Sequence, residues 1–152
     1  MMRVLVNLFY IRLLIFEFRF QNFINLKSLI INHMNIQQLY EFCHSKKGVT
    51  EHFPFDEDTL VFKVGGKMFC LASLKKFEEG EPFLNLKCNP EKAIELREKY
   101  ESIKPGYHMS KIHWNSVYLN KELPNKMIIE LINDSYELVF MSLTKKSRES
   151  IV

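Results

Sequence analysis

The chain has 152 residues, 47% hydrophobic and 26% charged, the composition of an ordinary globular domain. Aromatic residues at 13% exclude a chain that is mainly disordered. Three scattered cysteines exclude a disulfide scaffold and suit a reducing compartment.

The formal net charge of +3 is not spread evenly. Residues 1–33 hold Arg3, Arg12, Arg19 and Lys27 against the single acid Glu17, and contain no Gly, Ala or Pro. Removing these from the totals of 21 and 18 leaves 17 basic and 17 acidic residues in 34–152. The basic excess therefore gives no argument for an anionic partner of the domain behind the leader. A membrane span needs about 20 mostly apolar residues, and Arg12, Glu17 and Arg19 interrupt this run. A signal peptide needs a small-residue cleavage site, and none is present. The leader is expected to lie outside the evolved domain, behind a start upstream of Met34. The weaker alternatives are a membrane- or partner-contacting segment and an integral first helix. The domain is expected over 34–146, with a flexible tail over 147–152 and no membrane contact in 34–152.

Asn35 and Gln38 form a capping-box pattern, and Ile36, Leu39, Tyr40 and Cys43 follow at helical spacing, which predicts a helix over 35–47. Residues 49–55 read as short β structure that Pro54 makes an edge strand or a bend. Leu60–Val64, Gly65-Gly66 and Lys67–Ala72 read as a hairpin on a two-residue turn, with Phe62 opposite Phe69 and Leu60 opposite Leu71. Residues 75–82 read as a charged loop and 83–88 as a strand. Asn89-Pro90-Glu91 is a strong helix start; that helix ends before Pro105, where the chain turns. A strand over 114–119 and a last helix from Pro124 to Leu143 complete the pattern, with Lys145, Lys146 and Arg148 in a frayed tail. Helix, strands, helix, strand, helix is an α+β order, with helices on one face of a mostly antiparallel sheet.

Chemical motifs are sparse. There is no C-x-x-C, H-E-x-x-H or G-x-S-x-G pattern, so no metal centre, cofactor or catalytic nucleophile is expected. Cys88 precedes a helix start, a setting that can lower a thiol pKa, but it reads first as a buried core residue. The acidic groups Asp56-Glu57-Asp58 and Glu78-Glu79-Glu81 read as solvated turns. The segment from Lys104 to Asn115 stands apart: it interleaves Lys104, Tyr107, His108, Lys111, His113, Trp114 and Asn115. Cations neutralise phosphates, an amide reads a base edge, and aromatic rings stack on bases. The competing reading makes Tyr107 and Trp114 core caps.

Several stretches together resemble the MmcQ/YjbR family. They are Gly48–Glu51 with Phe53–Phe55, Leu60–Phe69, Leu86–Cys88 with Pro90, Pro105–Met109 with Lys111, His113–Asn115 and Val117, and Ser135–Val139. The match runs from Met34 to about Lys146. The resemblance implies a small bacterial cytoplasmic protein with a CyaY-like (frataxin-like) two-layer α+β fold. It also implies DNA binding without enzymatic activity. Contacts are then expected from Lys104, His108, Lys111 and His113 with Lys145, Lys146 and Arg148, while Trp114 stacks and Asn115 orients. A monomer is expected. The alternative is a protein-interaction or small-ligand module with a concave pocket lined by Tyr107, His108 and Trp114. Frataxin-like iron binding needs an acidic first helix, and Glu41 is the only acid of this one.

Overall fold

The computed structural model describes residues 33–151; the expectations for the leader lie outside them. Helix α1 (Ile36–His44) starts on the expected box: Asn35 Oδ1 accepts from Gln38 N and Gln38 Oε1 accepts from Asn35 N, both at 2.9 Å. It stops one turn earlier than predicted, at the Ser45 cap.

Six strands follow: β1 (Val49–His52), β2 (Thr59–Val64), β3 (Lys67–Ser73), β4 (Phe83–Lys87), β5 (Ile103–Pro105) and β6 (Trp114–Tyr118). They form one antiparallel sheet in the order β1-β2-β3-β4-β6-β5. Helix α2 (Leu74–Glu78) follows β3, and α3 (Pro90–Lys99) follows β4. The final helices are α4 (Asn125–Met141) and α5 (Lys145–Ser150). The fold is α+β, as predicted. Strand β1 does sit at an edge, and Asn89 caps α3 by accepting from Glu91 N at 3.0 Å.

Four expectations need correction. The hairpin turn is right, with Gly65 and Gly66 at φ 55° and 77°, but the register is not. A bulge shifts it after Lys63↔Met68, so Phe62 faces Cys70 and Leu60 faces Ala72. The extra residue, Phe69, turns into the core, where its ring meets Tyr136 edge-on at 5.4 Å. Residues 75–82 are not all loop, because Ser73 caps α2 by accepting from Lys76 N. The turn before Tyr107 contains β5, paired to β6. The tail is helical: Thr144 caps α5 by accepting from Ser147 N.

The sheet has two unlike faces. Leu60, Phe62, Val64, Phe69, Leu84, Leu86, Val117 and Leu119 point to the helix side and join Leu39, Cys43, Ile128, Ile132 and Val139 in one core. The bulge leaves a gap in the β3–β4 ladder that α4 fills. Ser135 Oγ accepts from Lys87 N at 2.8 Å and donates to Phe69 O, so a helix side chain acts as a rung between two strands.

Candidate functional site

Strand alternation sends Val61, Leu71, Asn85, Phe83, Trp114, Ser116 and Tyr118 to the face opposite the helix-packed core. A small apolar ridge of Val61, Leu71 and Trp114, flanked by Met68 and Met109, runs across its middle. The loop after β5 folds over this ridge. Gly106 permits the approach: a Cβ there would meet Trp114 Cβ at 2.8 Å and Met109 Cβ at 3.0 Å.

Two buried polar residues fix that loop. Ser116 Oγ donates to Asn85 Oδ1 at 2.6 Å and accepts from Tyr107 N at 2.8 Å, while Asn85 Nδ2 donates to Tyr107 O at 3.0 Å. His108 follows in the left-handed region, at φ 53°, with its ring 4.0 Å from that of Tyr107. From the helix side, Arg97 Nε donates to Asn115 Oδ1 at 2.7 Å, and its Nη2 donates to the carbonyls of Lys111 and Trp114.

Beside the ridge lies an open cavity of about 650 Å3. The aromatic rings of Phe55, Phe83, Tyr107 and Tyr118 line it, with Leu71 and Met109 as apolar floor. Phe83 sits between its neighbours, 5.2 Å from the Tyr118 ring and 6.1 Å from that of Tyr107. Asp56, Asp58, Glu81, Lys76 and His108 supply the charged and titratable lining. Hydrogen bonds from the Thr59 backbone, and secondarily from its hydroxyl and Asp58 N, hold the Asp56 carboxyl below its ordinary pKa. Asp58 accepts from Ser73 Oγ and Lys75 N, both at 2.6 Å.

The residues singled out from sequence are dispersed. Trp114 is 8% exposed and Asn115 2%; Met109 and the ridge cover the first, and Arg97 occupies the second. Neither is available to stack on or read a base, because each faces protein. Lys111 turns its ammonium onto Gly106 O. His113 is exposed, and its carbonyl accepts from Cys88 N at 2.8 Å. Lys104 is exposed on β5, and His108 lines the cavity. The tail does not join them. Leu143 lies against Gly65 and Ile151 against Gly48, at the β1–β2 side of the sheet, whereas the loop lies at the β6–β5 side. Arg148 is spent on the carbonyls of Met141 and Leu143, at 3.0 and 2.8 Å, and Lys145 lies 3.8 Å from Glu149. Lys146 is exposed on α5. Burial pushes the Cys88 thiol up, against the pull of Lys92, which leaves it a core residue.

Sequence reasoning missed Asn85, Ser116 and Arg97, and it passed over Phe83 and Tyr118 as strand residues. A signal for the first two was available, since each is a polar side chain within an apolar strand.

The model of the YjbR family matches residues 44–138. The chain belongs to the YjbR family. The chain is 44% identical over 99 residues to the uncharacterized protein YbdF of Escherichia coli O157:H7, covering 65% of this chain and 79% of that one. To the uncharacterized protein YjbR of Escherichia coli K12 it is 31% identical over 119 residues, covering 78% and 98%. Among solved structures, the Deinococcus radiodurans protein DR2400, described by the domain DUF419, superposes with a TM-score of 0.71 at 36% identity. That match covers 77% of this chain and 87% of DR2400. A Pseudomonas syringae protein matches with a TM-score of 0.59 at 30% identity, covering 70% of this chain and 99% of the other. The cavity-lining residues from Phe55 to Tyr118 all fall inside the matched YjbR region. Among the described residues, no helix is long and apolar enough to cross a membrane.

Proposed function

We propose that this YjbR-family chain is a non-catalytic binding module that holds a small organic ligand on the sheet face opposite its main helical core. One observation carries the reading: a cavity of about 650 Å3 with four aromatic rings in its lining, under a loop fixed by Asn85 and Ser116. Ligand sites are commonly concave, largely apolar and formed in advance, at volumes of about 300–1,000 Å3. The three cysteines are buried and free, which fits work in the cytoplasm, and the two-layer architecture fits a CyaY-like fold.

A second reading, nucleic-acid binding, draws on a different part of the same face. Lys63, Lys87 and Lys104 pair with Met68, Trp114 and Ser116, so their side chains share the open face away from the cavity acids. Binding there would rest on phosphate neutralisation and would weaken steeply with salt.

Amide NMR of the full chain separates the two. A fragment library is expected to shift Phe83, Asn85, Tyr107 and Tyr118, and Tyr107→Ala should weaken the response. If duplex DNA at low salt instead shifts Lys63, Lys87 and Lys104 while every fragment leaves the cavity unchanged, the ligand reading falls.

A further inference from the structure

The lining of the cavity specifies a class of ligand, an inference that rests on the small-ligand reading above. We infer that the site takes an organic cation with an apolar or aromatic body, such as an aralkyl ammonium.

Charge is the first argument. Three carboxylates, Asp56, Asp58 and Glu81, face the cavity against one ammonium, that of Lys76. That ammonium is already held by Glu79 Oε2 at 2.7 Å and Glu81 Oε2 at 3.4 Å. An anionic ligand would meet net like-charge repulsion there.

The walls are the second. An aromatic face carries negative quadrupole density and attracts an alkylammonium group. Phe55 and Tyr107 are 63% and 57% exposed, so two large rings stand open to solvent at the cavity rather than in the core. Phe83 and Tyr118 complete an aromatic corner with Tyr107.

The third argument removes a metal ion. A hard cation needs several free oxygen ligands. Asp56 is committed to Asp58 N, Thr59 N and the Thr59 hydroxyl, and Asp58 to Ser73 Oγ and Lys75 N. These carboxylates supply field and have few lone pairs left for coordination. A weakly hydrated organic cation needs only the field and the rings.

The test is a calorimetric and amide-NMR titration of the full chain with three probes of similar size: benzyltrimethylammonium, benzyl alcohol and benzoate. The ammonium probe is expected to bind about tenfold more tightly than benzyl alcohol, with benzoate weakest. Tyr107→Leu and Glu81→Gln change exposed side chains and should leave the melting temperature unchanged. Each should weaken the ammonium probe roughly two- to fivefold, the size of an exposed cation–π or ion-pair contact. Equal or tighter binding of benzyl alcohol or benzoate at Phe83, Tyr107 and Tyr118 overturns the cationic class and leaves the binding-module reading standing. No shift at those residues with any probe overturns both.

Discussion

Ser116 Oγ donates to Asn85 Oδ1 at 2.6 Å across the β4–β6 pair, and both residues hold the backbone of Tyr107. Both residues are buried, and Asn85 also borders the cavity. The role of the pair is positional: it converts strand register into the height of a loop above the sheet.

Asn85→Ala should therefore strand the hydroxyl proton of Ser116 and the Tyr107 carbonyl. A buried polar group left without a partner costs about 1–3 kcal/mol. Urea unfolding should show a loss of that size, and hydrogen exchange should show faster exchange of the Tyr107 amide. A loss confined to global stability, with Tyr107 protection unchanged relative to its neighbours, would contradict the positional role.

Ser135→Ala tests the helix-borne rung. It removes the acceptor of Lys87 N and the donor to Phe69 O. The expected cost is again about 1–3 kcal/mol, with a protection loss centred on Lys87 and its β4 neighbours rather than on α4.

Arg97 makes three connections from one guanidinium. Lysine cannot reproduce that planar fork. Arg97→Lys should fall close to Arg97→Ala in chemical denaturation, both losing about 1.5–3 kcal/mol as expected for bonds to a charged group. A lysine variant as stable as the parent would show that charge alone suffices.

The pH dependence follows from Asp56, whose folded pKa is depressed, first by the Thr59 amide. A carboxyl of this kind contributes stability that is fully present above its unfolded value, about 3.9 for Asp. That contribution is lost as pH falls through the lower folded value. Asp56→Asn should be less stable than the parent at neutral pH, and the gap should close as the solution is acidified through that window. A gap that stays constant or widens on acidification would be the wrong sign for this assignment. Denaturation midpoints at a series of pH values measure it.

Features set by neighbours in the chain were legible in the sequence. The Asn35–Gln38 box, the Asn89-Pro90 start and the Gly65-Gly66 turn need only a few adjacent residues, and all three stand as read. The hairpin register needed more. At the bulge Phe69 meets Tyr136 and Ser135, which lie far along the chain on α4. Its neighbours in sequence leave Trp114 open between a stacking ring and a core cap; the buried position it takes depends on Met109 closing over it and on pairing with Lys87. The tail KKSR reads as solvated, and its helix is fixed by the Thr144 cap and by Ile151 packing on Gly48. Of the pocket expected from Tyr107, His108 and Trp114, the first two do line the cavity; Phe55, Phe83 and Tyr118 were not legible because they come from other segments that only the strand order brings together.

The loop over the ridge is gripped from both sides of the sheet, by Arg97 behind it and by Asn85 and Ser116 in front. One wall of the cavity is therefore fixed by the same contacts that stabilise the fold. Another part of the lining, Phe55, Asp56 and Asp58, belongs to the connection between β1 and β2, and Phe55 stays outside the core. Changes at Phe55 can reshape what enters while the sheet stays intact, whereas Asp56 and Asp58 also hold Thr59, Ser73 and Lys75. Within such a scaffold, selectivity can diverge at one turn without a compensating change in the interior.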